Sequence, residues 1–180
     1  YHHSLLQKMP KFSSMLDYED DSVRVEVIEV LGKIGHQAKY EIPRLISIML
    51  DREYAERREK EIQQSTVVRS MSRFALPNPA REMRSKAAVA LGLIGEDAQK
   101  VVPALIKVMG DDDGDLRAHA AIALGRFRER AHSSIPSLKK ALNDSSERVK
   151  KNAAIALILV NPLTQNSINY LLQLAKIDEG

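Results

Sequence analysis

Met83-Arg84-Ser85-Lys86-Ala87-Ala88-Val89-Ala90-Leu91-Gly92-Leu93-Ile94 places apolar residues at 83, 87, 90, 91 and 94, one stripe of a helix with 3.6 residues per turn. Thirty-three residues further on the same stripe returns as Leu116, Ala120, Ala123, Leu124 and Phe127, and after another 33 as Val149, Ala153, Ala156, Leu157 and Val160. Backwards, the offset is 60, that is 33 plus 27 inserted residues, and it lands on Val23, Val27, Val30, Leu31 and Ile34. A stripe that recurs at a fixed period marks a repeat array, in which each unit buries its apolar face only against its neighbours.

Working outward from that stretch, Gly95 and its counterpart Gly35 supply the left-handed residue that ends a helix at low cost. A second helix follows, begun by Pro103-Ala104-Leu105-Ile106, and the proline recurs as Pro43 and Pro136. Proline is tolerated in a first helical turn because those amides have no intrahelical partner. The spacing predicts first helices over 21–34, 80–94, 114–128 and 147–160, and second helices from about Ala38 and over 98–109, 133–143 and 165–176. Residues 153–160 are apolar nearly all round, which predicts cover on both faces. The last unit carries Asn161 in the glycine register and Asn169 in the proline register. The stretch from Met9 to Asp17 precedes the segment starting at Ile42 by 33 residues and reads as a second helix without its first. The expected division is therefore a half repeat at 1–17, repeats at 18–51, 80–111, 112–144 and 145–180, and a charged insertion at 52–79.

The insertion has two characters. From Arg52 to Gln64 the charges alternate at helical spacing, as in Glu53 with Arg57 and Glu56 with Lys60, which predicts a mobile prolongation of the preceding helix into solvent. From Ser65 onwards Val67, Val68, Met71, Phe74 and Leu76 mix with Arg69 and Arg73, and Pro77-Asn78-Pro79 closes the segment. Arg57, Arg58, Arg69 and Arg73 are its candidate partner contacts.

The chain is 44% hydrophobic but only 4% aromatic, which fits small aliphatic helix contacts. Twenty-seven basic and 24 acidic residues leave a net charge of +3, too near balance for the overall field that holds nucleic acid. Without cysteine there is no disulfide framework, thiolate nucleophile or cysteine-based metal site. No apolar run approaches the ~18 residues of a membrane span, and the amino-terminal residues lack a signal pattern, so a soluble, cytoplasmic protein without membrane contact is expected. A start at Tyr1-His2-His3 without methionine suggests a processed form or a piece of a longer array.

The unit Ala90-Leu91-Gly92-Leu93-Ile94-Gly95, then Ala98, Pro103-Ala104-Leu105-Ile106 and a closing Asp111, resembles the HEAT repeat, in the short bacterial form known from phycobilisome lyases. The resemblance covers nearly everything outside the insertion. It implies an all-α, right-handed α-solenoid of stacked antiparallel helix pairs, with the second helices lining the concave side, and a role in binding rather than catalysis. Some HEAT proteins are enzymes. Deoxyhypusine hydroxylases hold iron with His-Glu dipeptides, but here the histidines are followed by His3, Ser4, Gln37, Ala120 and Ser133. HEAT-like DNA glycosylases use an aromatic, basic concave face, and this chain has no tryptophan. The alternative to a binding module is thus a subunit of a bilin-lyase-like enzyme or a HEAT-like DNA-binding or repair module.

Other constellations carry no chemistry. The acid clusters at 19–21 and 111–115 sit where inter-repeat turns need helix caps, and the second lacks the spacing of a calcium loop. His119 and His132 have no partner at metal-ligand spacing, Ser133-Ser134 and Ser145-Ser146 lack a base, and no glycine-rich phosphate loop occurs, so no cofactor is expected. Down the array, the second-helix residues that point away from the core align as Lys11, Arg44, Ala104, Ser137 and Tyr170, with Ser14, Ser47, Lys107, Lys140 and Gln173 beside them. That polar to weakly basic face predicts a scaffold or adaptor binding a protein or peptide. At the half repeat, Met9, Phe12 and Leu16 are expected to lack half their cover, which would permit end-to-end self-association.

Overall fold

The computed structural model describes residues 10–64, 78–162 and 169. Residues 10–15 form the described part of α1, followed by α2 (Asp21–Ile34), α3 (Ile42–Leu50), α4 (Arg52–Gln64), α5 (Pro79–Ile94), α6 (Ala98–Val108), α7 (Gly114–Phe127), α8 (Ile135–Ala141) and α9 (Glu147–Val160). The described residues contain no strand. The first helices of the units, α2, α5, α7 and α9, pack each against the next, and α3 contacts α6 in the second row. α2 meets α5 directly, so the row of first helices continues across the insertion. The architecture is an α-solenoid.

The predicted stripes are the core. Met83, Ala87, Ala90, Leu91 and Ile94 are buried, as are Leu116, Ala120, Ala123, Leu124 and Phe127 and the corresponding five of α9. Of the stripe predicted for α2, Val27 and Leu31 are buried while Val23 and Ile34 pack half-buried on the edge of the core, and Val25 and Ile28, outside that stripe, are buried as well. Glycine sets how closely the first helices approach. A Cβ on Gly32, Gly92 or Gly125 would lie 3.0, 2.8 and 3.1 Å from the Cα of Ala90, Ala123 and Ala156 on the next helix. Caps fix the starts: Asp20, Asn78 and Asp113 each accept amide hydrogen bonds from the first turn of α2, α5 and α7.

Several boundaries differ from the sequence reading. α3 and α8 begin at Ile42 and Ile135, later than expected, because residues 36–41 and 129–134 first form 3-10 turns, the second stretch kinked at Ala131 (φ −100°, ψ 21°). Pro43 and Pro136 then fall in the first turn, but Pro103 is the sixth residue of α6, where the helix starts earlier. Gly95 is left-handed, whereas Gly35 combines φ 69° with ψ −138°, and Arg128 adopts the same unusual pair (51°, −136°) in the third unit. The cover expected on both faces of α9 is incomplete, since Ile155 is 51% exposed. The second helix expected at 165–176 lies outside the described residues. At the half repeat Leu16 is buried and Phe12 packs half-buried on the core, so Leu16 does not lack cover as expected.

The insertion is the largest difference. α4 is not a prolongation of α3: the chain turns at Asp51 (φ −76°, ψ 77°), whose carboxylate accepts from the Tyr54 amide at 2.9 Å and starts a separate helix. Nor does α4 project freely. Tyr54 Oη donates to Asp21 at 2.6 Å and Arg58 Nε to the same carboxylate at 3.1 Å, while Asn78 Nδ2 donates to Ala55 O and Glu59, both at 3.0 Å. α4 is thereby tied to the starts of α2 and α5.

A ladder of ion pairs runs along the stack. Arg84 holds Asp111 through two nitrogens, at 2.6 and 3.3 Å, and donates to Met49 O at 3.0 Å; Arg117, 33 residues on, holds Asp144 at 2.8 Å twice. In the first unit the same register would join Arg24 to Asp51. Asp51 is instead the cap of α4, and Arg24 pairs with Asp21 at 3.3 Å and lies over the Tyr54 ring.

Candidate binding surface

Among the described second helices, only part of the row aligned in the sequence reaches solvent. Lys11, Ser47, Lys107 and Lys140 are exposed, but Ala104 is buried and Ser137 half-buried, its hydroxyl donating to Ser134 O at 2.8 Å. Tyr170 and Gln173 lie outside the described residues, as do Arg69 and Arg73. Arg44 is engaged within the array: it donates to Ser13 O at 2.8 Å and forms an ion pair with Asp17, joining α3 to α1. Of the insertion's arginines, Arg58 is divided between Asp21 and Glu61, and exposed Arg57 lies over the Tyr54 ring.

Lys107 on α6 and Lys140 on α8 do converge. They line one open groove of about 480 Å3 between the carboxyl-terminal ends of the two helices, with Ile106, Met109 and Ala141 as its apolar floor. Asp144 closes it, already held by Arg117. Neither lysine has a carboxylate partner among the described residues. A smaller cleft of about 170 Å3 lies beside α3, walled by Leu16, Tyr54 and Arg84, and in it Arg44, Ser47 and Asp51 occupy the registers that Ser137, Lys140 and Asp144 occupy in the larger groove. Equivalent registers of the array thus line two clefts of different charge.

The acidic clusters have structural roles. Asp20 and Asp113 are caps, Asp111 belongs to the ladder, Asp112 pairs with Arg52, and Asp115 with Arg148. Asp21 is buried and gathers Arg24, Tyr54 and Arg58. Burial, followed by the Asp21 carboxylate that accepts its hydrogen bond, pushes the Tyr54 phenol up from its ordinary value. His119 is held down, first by burial and then by the Arg148 guanidinium 2.8 Å from its Nε2. Among the described residues, no group of three or more histidines and carboxylates is arranged to hold a metal ion, and no helix is long and apolar enough to cross a membrane. Sequence reasoning passed over the Arg–Asp ladder, whose signal was present: Arg84 and Arg117 share a register, as do Asp51, Asp111 and Asp144.

Stacked helix pairs of fixed period define a helical repeat protein. The chain belongs to the HEAT-repeat family, whose model matches residues 71–158 and, overlapping, 102–179, together more than half of the chain. Among solved structures it is similar to an engineered protein, at 20% identity and a TM-score of 0.53, over 92% of this chain and 67% of the other. That likeness concerns the fold. No curated protein matches the sequence.

Proposed function

We propose that the protein is a non-catalytic scaffold or adaptor that binds an acidic protein or peptide segment along its second-helix row. The observation that carries this reading is the groove between α6 and α8, where two exposed lysines without a carboxylate partner among the described residues flank an apolar floor. Such a floor receives an aliphatic side chain while the flanking charges select carboxylates and raise the rate of encounter. Family membership agrees, since HEAT repeats generally mediate protein interactions, and α4 offers exposed Arg57 as an additional contact.

The test begins with a partner captured from the native source and identified by mass spectrometry. Lys107→Glu together with Lys140→Glu should weaken its binding at least ~10-fold, with stability changed by under about 0.5 kcal/mol because both sites are exposed. If binding withstands the double reversal and disappears on deleting residues 52–78, the insertion is the site instead. A gel shift with random duplex DNA, steeply salt-dependent and abolished by the same reversal, would replace the protein partner with nucleic acid.

A further inference from the structure

The opposite side of the stack, formed by the first helices, carries a second surface that the second-helix row does not use. Two registers outside the core stripe recur there: Val89, Ile122 and Ile155 in one, Leu93, Arg126 and Leu159 in the other. The glycine contacts dictate where the second register lies. A Cβ on Gly32 would come within 3.3 Å of Leu93 Cδ1, one on Gly92 within 3.2 Å of Arg126 Cδ, and one on Gly125 within 3.2 Å of Leu159 Cδ1. Each of the three side chains thus lies over the glycine of the preceding helix, and together they form a line across α5, α7 and α9.

Two apolar hollows lie along this line. One of about 350 Å3 includes Val89 and Leu93, the other, of about 210 Å3, Ile122, Ile155 and Leu159. Leu93 is 39% exposed and Ile155 51%, the two exposed large aliphatic side chains among the described residues. Between the hollows stands Arg126, exposed and without a carboxylate partner among the described residues. At the near rim Lys33 and Lys86 are both drawn to Glu29, so their charge is partly met.

We infer that this face is a docking site for an amphipathic helix of a partner protein, one with apolar residues at both ends of its contact face and a carboxylate near the middle. Charge selects this occupant. Residues 65–77 of the chain itself are apolar enough, but their only charges are Arg69 and Arg73, which Arg126 would repel. A second copy offers no fitting helix in α4, whose thirteen residues include only Ala55 and Ile62 as aliphatics. Length follows from geometry: packed helices lie ~8–10 Å apart, so Leu93 and Leu159 are roughly 16–20 Å apart, which a helix rising about 1.5 Å per residue spans in some 11–13 residues. An apolar face laid into a groove with a few spaced anchors is a common mode of helix recognition.

The probe is a fluorescein-labelled helical peptide of about 16 residues, long enough for that span, with leucines at both ends of one face and one glutamate between them. A twin carries lysine in place of the glutamate. Fluorescence anisotropy with the full chain should show saturable binding of the glutamate peptide and at least ~10-fold weaker binding of the twin, the size expected for one close charge pair. Arg126→Glu should exchange the two preferences, and Leu93→Ser with Ile155→Ser should abolish both while the circular dichroism is kept. Lys107→Glu with Lys140→Glu should leave peptide binding unchanged, which separates this site from the second-helix groove. The inference is overturned if wild type shows no saturable binding, or if Arg126→Glu leaves the preference as it was. It is overturned equally if binding emerges only once residues 65–77 are deleted, or if sedimentation shows a dimer that Ile155→Ser dissolves; the occupant is then the chain's own segment or a second copy.

Discussion

Gly92 shows how one residue sets the pitch of the stack. In an exposed helix, Ala in place of Gly gains roughly 0.5–1 kcal/mol because less backbone entropy is lost on folding. At this site the new Cβ would stand 2.8 Å from both the Cα and the Cβ of Ala123, and neither can move without moving α7. Overpacking of that kind costs about 1–3 kcal/mol, so the clash outweighs the propensity and Gly92→Ala is expected to lower the melting temperature. Gly114 provides the contrast, since the nearest atom to its added Cβ is Arg117 Nη2 at 3.7 Å, and Gly114→Ala should change stability by under about 0.5 kcal/mol. Equal melting temperatures for the two variants would show that the first helices can separate freely, against the close contacts described.

At the scale of the element, Asn78 does two things that a single substitution can separate. Its Oδ1 accepts from the amides of Ala80 and Arg81 and so caps α5, while its Nδ2 donates to Ala55 O and to Glu59 of α4. The Asn78 amide is also the main reason the Glu59 carboxyl is held below its ordinary value, ahead of the opposing effect of burial and the help of Arg81. Asn78→Asp keeps the cap acceptor but removes the donor and sets a second carboxylate against Glu59. Amide exchange in α4 should then quicken at least ~10-fold while the first turn of α5 keeps its protection, a difference of about 1.4 kcal/mol confined to one element. Uniform quickening in both helices would mean that α4 and α5 open as one unit. The same region marks where the sequence stops being legible. The stripe at 83–94 and its three copies were readable because burial in a stack is periodic, and Lys107 and Lys140 could be set side by side by counting 33. That Arg52–Gln64 docks on the array could not be read, because its ties are single long-range bonds from Tyr54, Arg58 and Asn78 to groups that share no period. The late starts at Ile42 and Ile135 escaped for a different reason: residues 36–41 and 129–134 form turns of a tighter kind, which a 3.6-residue pattern does not distinguish.

For the whole molecule, the ladder makes cohesion of the stack depend on pH. Asp144 is held below its ordinary value of 3.8 chiefly by the hydrogen bonds of Arg117; burial is the largest single influence on Asp111 and pushes it up, but Arg84 and the Asp113 amide together outweigh it and leave Asp111 lowered too. A carboxylate whose value is lower in the folded state adds stability that is fully present above the unfolded value and is lost as pH falls through the folded one. Urea unfolding midpoints should therefore decline below pH 3.8 as these two aspartates take up protons. His119, lowered mainly by burial from 6.5, opens a separate and earlier decline, because the unfolded chain accepts that proton more readily. Asp144→Asn distinguishes the two windows. It removes the charged partner of Arg117, whose side chain is 13% exposed and which keeps the carbonyls of Asp111 and Asp112 at 2.7 and 3.0 Å, and should cost about 1.5 kcal/mol at neutral pH. It should also flatten the curve below 3.8 while leaving the decline from His119 as steep as in wild type. Because each unit meets only its neighbours, the loss is expected to loosen α9 from α7 before it reaches α2, and amide exchange read helix by helix would show that order. An acid slope below 3.8 as steep as that of the wild type would place the protons elsewhere and remove the ladder from the account of stability.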